Sequence, residues 1–91
     1  MKILLVIPAF DEERTQPALI RLAKTRIQDI MVVDDGSSDA TALVADMGDA
    51  MTHRFATNRG KGVALKAAFD YAAGKGYDWI FTMDGDAQSH D

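Results

Sequence analysis

The 91 residues, 47% hydrophobic and 26% charged with a formal net charge of −4, make one small domain and offer no clustered basic face for nucleic acid. The chain contains no cysteine, which excludes a disulfide framework, a zinc–thiolate site and a thiol nucleophile, and fits a reducing, cytoplasmic setting. No stretch approaches the ~20 apolar residues of a membrane span. The opening residues 1–7 run into Pro8 and acidic residues too soon to form a secretion signal.

Strand and helix signals alternate along the chain, without internal repeat, low-complexity tract or linker. Residues 3–7 are an unbroken run of Ile, Leu and Val, as expected for a parallel strand covered on both faces, and Pro8 is expected to end it. A helix is predicted from Pro17, a residue suited to the first helical position, with Ile20, Ala23 and Ile27 as its buried stripe. Residues 30–33 form a second strand, followed by the turn Asp34-Asp35-Gly36. Ser38 or Asp39 caps a second helix whose Ala40, Leu43, Val44 and Met47 fall at helical spacing, and Gly48 stops it. A weak third strand is expected over residues 51–56. The third helix starts near Lys61, carries Val63, Ala67, Phe69 and Tyr71, and ends near Gly74 or Gly76. Residues 78–83 form a fourth strand, apolar almost throughout, that empties into Asp84-Gly85-Asp86.

This alternation specifies an α/β fold, a Rossmann-like, mostly parallel sheet with flanking helices and right-handed crossovers. Ligands of such sheets sit at the carboxyl ends of the strands. The chemically suggestive residues fall there: 8–12 after the first strand, Asp34 and Asp35 after the second, 84–88 after the fourth. Asp84-Gly85-Asp86-Ala87-Gln88 sets oxygen-bearing side chains at alternate positions, a hard donor set of the kind Mg²⁺ or Mn²⁺ takes alongside substrate phosphates. The plainer account is an Asp-Gly turn facing water. Ser89 stands where an EF-hand requires glycine, which excludes that loop.

A turn and a helix cap account for Gly36, Ser38 and Asp39, but not for two adjacent carboxylates at the mouth of the sheet. One of them is placed to accept hydrogen bonds from a nucleobase. Asn58-Arg59-Gly60-Lys61-Gly62 opens the third helix with amides suited to an anion and with Arg59 or Lys61 to neutralise phosphate. A solvated basic turn has the same composition, and the Walker A spacing is missing. His53 and His90 stand isolated, and neither is assigned a catalytic role.

Together these segments resemble family 2 glycosyltransferases of the GT-A type. Val6-Ile7-Pro8-Ala9-Phe10-Asp11-Glu12-Glu13 is similar to that family's opening IPAYNEE segment, and residues 32–41 to its VVDDGSTDGT block. Residues 58–64 resemble its NxGKGxA segment and residues 83–88 its DxD metal motif. The glutamine after the DxD and the Gly-Lys-Gly helix start are nearest to the polyprenyl-phosphate (dolichyl-phosphate-type) sugar transferases. The resemblance implies the strand order 3-2-1-4 and one domain over residues 1–91 that binds a nucleoside-diphosphate sugar, GDP- or UDP-linked. It implies that Pro8, Phe10 and Glu12 line the nucleoside pocket and that Val33 and Asp35 meet the base. Lys61 would join the nucleotide site, and Asp84, Asp86 and Gln88 would hold Mg²⁺ or Mn²⁺ on the donor diphosphate. An acceptor oxygen, polyprenyl phosphate in the nearest group, would then attack the anomeric carbon with inversion, at the inner face of the membrane. Asp11 and Phe10 depart from the family's asparagine and tyrosine. Family members run to more than twice this length, so the acceptor site and catalytic base are expected beyond Asp91.

Three other classes are disfavoured on specific residues. A sugar-phosphate nucleotidyltransferase wants a glycine-rich, arginine-bearing loop after the first strand, and residues 8–13 contain no glycine. A receiver domain would carry its acidic pair after the first strand rather than the second. A dinucleotide-binding domain needs G-x-G-x-x-G there. A catalytically inactive nucleotide-binding or interaction module stays open, as do the base, the sugar and the acceptor. The fourth strand, with Trp79, Ile80, Phe81 and Met83 and neither proline nor lysine inside it, is expected to form homo-oligomers through its edge.

Overall fold

The computed structural model describes residues 1–39 and 41–83. They run β1 (Ile3–Ala9), α1 (Gln16–Lys24), β2 (Asp29–Asp34), α2 (Thr41–Met47), β3 (Met51–Arg54), α3 (Lys61–Ala73) and β4 (Trp79–Thr82). The strands form one parallel sheet in the order β3-β2-β1-β4, the order expected from the resemblance. β1 and β2 lie at its centre, which is why their side chains are apolar on both faces.

The two-residue period of the strands divides the core in two. Leu5, Ile7, Ala9, Ile30 and Val32 pack on one face with Ile20 and Ala23 of α1 and Ala45 of α2. Leu4, Val6, Met31 and Val33 pack on the other with Ala64, Ala68 and Ala72 of α3. At the amino end of the sheet the Tyr77 hydroxyl donates to Asp29 Oδ2 at 3.0 Å, and the Lys2 amide donates to Asp78 Oδ2 at 2.8 Å.

Several expectations need correcting. Pro8 does not end β1: it stays in register with Val33, and Ala9 with Asp34. Val6 accepts from Met83 N on the β4 side, and Ala9 accepts from Asp35 N on the β2 side. The Pro8 nitrogen, two residues beyond Val6, therefore faces the β4 side past the last described rung, where a missing N–H breaks no bond among the described residues. On α2, Leu43 and Met47 are exposed, and Thr41 and Ala45 are buried instead. Ala40 and the side chain of Val44 lie outside the described residues. On α3, Val63, Phe69 and Tyr71 are exposed, and the buried stripe is Ala64, Ala68 and Ala72. Alanines spaced four apart let the helix axis come close to the sheet, which pushes the bulky neighbours to the solvent side. β4 is apolar as expected, yet Trp79 is 55% and Phe81 48% exposed, their rings stacked at 6.5 Å. They share the face of Ile3 and Leu5, their register partners, at the edge of the sheet.

Candidate functional site

The loops after β1, β2 and β3 meet at the carboxyl edge, and buried carboxylates tie them together. Asp34 ends β2 with no exposed surface. Its Oδ1 accepts from the Ser37 amide at 3.0 Å and from the Ser37 hydroxyl. Among the described residues its Oδ2 makes no hydrogen bond, but it lies 3.7 Å from Arg54 Nε, at the end of β3. Arg54 Nη2 also donates to the Ser37 carbonyl at 3.1 Å. A buried carboxylate left without a partner costs several kcal/mol, and Arg54 supplies the opposite charge beside Asp34.

Asp35 is 5% exposed and holds the loop before α3. Its Oδ1 accepts the Arg59 amide at 2.7 Å and its Oδ2 the Gly60 amide at 2.8 Å. Its carbonyl accepts Asn58 Nδ2 at 3.1 Å, and its own amide donates to the Ala9 carbonyl at 2.8 Å. The anion position expected at these two amides is therefore filled from within, by a carboxylate at the positive end of a helix. Two glycines make the approach geometrically feasible. Gly36, at φ +78°, lies so close to the neighbouring loop that a Cβ would meet the Thr57 carbonyl carbon at 2.4 Å and the Asn58 nitrogen at 2.5 Å. Gly60 takes φ 98°, ψ 153°, a backbone region essentially restricted to glycine.

The loop after β1 is fastened to the loop after β2. Asp11 sits at φ 52°, a left-handed conformation that Asp and Asn accept more readily than other residues. Its carboxylate accepts Ser38 N at 2.7 Å, and its amide donates to Ser37 Oγ at 2.8 Å. The Glu12 amide donates to Thr41 Oγ1 at 2.8 Å, and the Glu13 amide to Asp39 Oδ2 at 3.2 Å. Glu12 Oε1 folds back to accept the Phe10 amide at 3.1 Å. Asp39, not Ser38, takes the capping position, accepting the Thr41 amide at 2.9 Å and the Thr41 hydroxyl. Burial alone would raise the Asp39 carboxyl; hydrogen bonds from Thr41 and Glu13 outweigh it and hold it below the usual carboxylate range.

A cavity of about 570 Å³ opens between these loops, lined by residues 10–15 and Asp39. Phe10 stands at its rim, 46% exposed. The expected site residues divide clearly. Phe10 and Glu12 line the cavity. Pro8 is buried in β1 and Val33 is fully buried beneath α3, so its side chain contributes to the core. Asp35 lies under the β3–α3 loop, and Lys61 is the first residue of α3, exposed at its start. Asp84, Asp86 and Gln88 lie outside the described residues. Among the described residues no cluster of three or more acidic, histidine or cysteine side chains is arranged to hold a metal ion. Arg54, Ser37 and Thr41 were not anticipated, and their only sequence signal is polarity at strand ends and in the turn after β2. Gln16 was not anticipated either: it opens α1 fully buried, its amide without a hydrogen-bond partner among the described residues.

A parallel sheet in this order, with its polar loops gathered at one edge, is the Rossmann-like arrangement of the GT-A class. The sequence model of glycosyl transferase family 2 matches residues 4–91, and the chain belongs to that family. An uncharacterised protein of Methanocaldococcus jannaschii is 38% identical over 90 residues, covering 98% of this chain and 37% of that one. The undecaprenyl-phosphate 4-deoxy-4-formamido-L-arabinose transferase of Salmonella paratyphi B is 33% identical over 100 residues, covering 97% of this chain and 30% of its own. Among solved structures, glucosyl-3-phosphoglycerate synthase from Mycobacterium tuberculosis, in complex with Mn²⁺, UDP and glucosyl-3-phosphoglycerate, superposes with a TM-score of 0.75 at 26% identity, over 93% of this chain and 33% of that one. Mannosyl-3-phosphoglycerate synthase from Rubrobacter xylanophilus reaches a TM-score of 0.79 at 24% identity, over 100% of this chain and 33% of its own, a likeness of fold. The chain thus spans about a third of the length of the relatives it matches. Among the described residues no helix is long and apolar enough to cross a membrane.

Proposed function

We propose that this chain forms the donor-binding part of a metal-dependent, inverting glycosyltransferase that takes a GDP- or UDP-linked sugar and passes the sugar to an acceptor such as a polyprenyl phosphate. The observation that carries this reading is the convergence of three motif-bearing loops on one edge of the sheet, fastened by Asp11, Asp34 and Asp35. The M. tuberculosis relative's UDP and Mn²⁺ support the donor class, and the undecaprenyl phosphate in the Salmonella relative's name supports the acceptor class.

Phe10 offers an exposed ring at the rim for the nucleoside and Glu12 lines the same cavity, while the buried Pro8 and Val33 act from the strand ends, through the backbone they hold in register. Asp35 forms the base side of the pocket with the lone pairs its loop amides leave over, and Lys61 places a cation for the diphosphate. Met83 N donates to the Val6 carbonyl, so β4 delivers the chain to the same edge just before Asp84. Two carboxylates and an amide oxygen, Asp84, Asp86 and Gln88, are hard donors that suit Mg²⁺ or Mn²⁺ and leave positions for phosphate oxygens. When bound there, the ion supplies charge neutralisation of the leaving nucleoside diphosphate.

Calorimetric titration with UDP and with GDP, in Mn²⁺ and again after EDTA, tests this. Affinity should fall about tenfold or more, ~1.4 kcal/mol, without metal and in Asp86→Ala. Equal affinity in all three conditions overturns the reading.

A further inference from the structure

We propose that the outer face of α1, with the end of α2 beside it, docks the chain on an anionic phospholipid surface. Residues 14–28 carry Arg14, Arg21, Lys24 and Arg26 and no acidic residue, leaving all 14 acids to the rest of the chain. The formal net charge of −4 hides that segment. Folding then separates the charges. α1 starts at the carboxyl edge, where Asp34, Asp35 and Asp39 gather, and its nine residues carry the chain about 13 Å away from them. That exceeds the screening length of about 8 Å at physiological ionic strength, so the cations of its last turns face a neighbouring surface with little opposition from that edge. At the amino end Asp29 and Asp78 accept from Tyr77 and the Lys2 amide, and Asp49 lies 3.7 Å from Lys24.

Apolar side chains stand among these cations. Arg21 and Arg26 are exposed, and so is Leu22, at 65%. On α2, Met47 is 75% exposed, and Leu43, one turn before it, is exposed as well. Between the two helices a cavity of about 410 Å³ is lined by Pro17, Ile20 and Met47, with Arg21 and Lys24 as its cations. The negative end of a helix attracts cations, which accounts for a basic last turn but not for exposed leucine and methionine beside it. Cations set among exposed apolar side chains match a bilayer surface, where phosphate groups meet the first methylenes of the acyl chains. A soluble acidic partner would call on the charges alone. The face is separate from the nucleotide site, and a chain held by it would stay beside a lipid-borne acceptor of the class proposed above.

Flotation of the chain with phosphatidylcholine vesicles, with and without phosphatidylglycerol, tests the face in the absence of nucleotide. The chain should float with the phosphatidylglycerol vesicles and far less with phosphatidylcholine alone, and raised salt should release it. Each cation at an anionic surface contributes about fivefold, so Arg21→Gln/Arg26→Gln should weaken partitioning about 30-fold. Lys66→Gln/Lys75→Gln removes the same charge from the other side of the sheet and should weaken it by less than about threefold. Leu22→Ser/Met47→Ser should weaken it about tenfold. All six positions are exposed, so circular dichroism should show every variant folded. No flotation with phosphatidylglycerol vesicles, or equal losses from the arginine and lysine pairs, overturns the proposal. Unchanged flotation of Leu22→Ser/Met47→Ser, with that of the arginine pair lost, also overturns it and assigns the face to a soluble acidic partner. Nucleotide binding is measured separately by calorimetry, so a failure of the donor reading leaves the vesicle result standing, and the reverse.

Discussion

Replacing Gly36 by alanine should be far more damaging than adding one methyl group usually is. At φ +78° any residue with a Cβ is strained, by roughly 1–2 kcal/mol. The new Cβ would also stand 2.4 Å from the Thr57 carbonyl carbon and 2.5 Å from the Asn58 nitrogen, both backbone, so no side-chain rotation relieves it. The loop must retreat by about an ångström to reach ordinary contact, which pulls the Arg59 and Gly60 amides from Asp35, now 2.7 and 2.8 Å away. Loss of one such bond to a charged acceptor adds about 1.5–3 kcal/mol. The expected total is about 3–5 kcal/mol, against a stability of about 5–15 kcal/mol for a small domain. Urea unfolding followed by far-ultraviolet circular dichroism measures it, with Gly62→Ala as the control. A Cβ at Gly62 meets nothing within 4 Å, and helix propensity should make that variant slightly more stable, by up to about 1 kcal/mol. If Gly36→Ala unfolds at the same midpoint as the unsubstituted chain or as Gly62→Ala, the close approach of the two loops is wrong.

Arg54→Met should destabilise by about 1–3 kcal/mol, because it strands the fully buried Asp34 without a cation; a half-exposed arginine gives less than a buried one. Asp34→Asn in the same chain should recover part of the loss, and a full additive penalty in urea unfolding would contradict the pairing. The Tyr77 phenol is pushed up to about 12 by burial, and further by its hydrogen bond to Asp29 and that carboxylate's charge. The raised value means that the Tyr77 contribution is fully present below pH 10 and is lost as pH rises from 10 to about 12. Ultraviolet titration of phenolate should show a step near pH 12 that Tyr77→Phe removes, and a curve unaltered by the substitution would contradict it. The outer edge of β4 carries no strand among the described residues and exposes Trp79 and Phe81, so sedimentation should find self-association that Phe81→Lys suppresses. A monomer at high concentration, or association unchanged by the lysine, would contradict it.

Periodicity located every strand and helix within a few residues, because a central parallel strand can hardly avoid a continuous apolar run. It failed on which helix residues face inward. Val63, Phe69, Leu43 and Met47 are the larger apolar residues of α2 and α3, whereas Ala45, Ala64, Ala68 and Ala72 do the packing, since small side chains let these two helices settle close onto the sheet. The carboxylate pair was legible as a feature but not in its division of labour. Asp34 is answered by Arg54 and Asp35 by the amides of Arg59 and Gly60, partners at least 20 residues away that no local pattern announces. Asp11 is the reverse case: its departure from asparagine matters little to the backbone, because either residue accepts the left-handed conformation it holds.

The central claim is that the carboxyl edge of the sheet holds a nucleoside diphosphate with its metal, and paramagnetic broadening of amide signals by Mn²⁺ tests it most directly. In an isotope-labelled chain, Mn²⁺ with UDP or GDP should broaden the amides of Phe10 to Glu12, Asp35 to Ser37 and Arg59 to Lys61. It should leave Lys2, Asp29 and Tyr77 at the opposite end sharp. Mn²⁺ without nucleotide should broaden the same edge much less. Broadening that ignores the nucleotide, or that centres on the amino end of the sheet, would contradict the account.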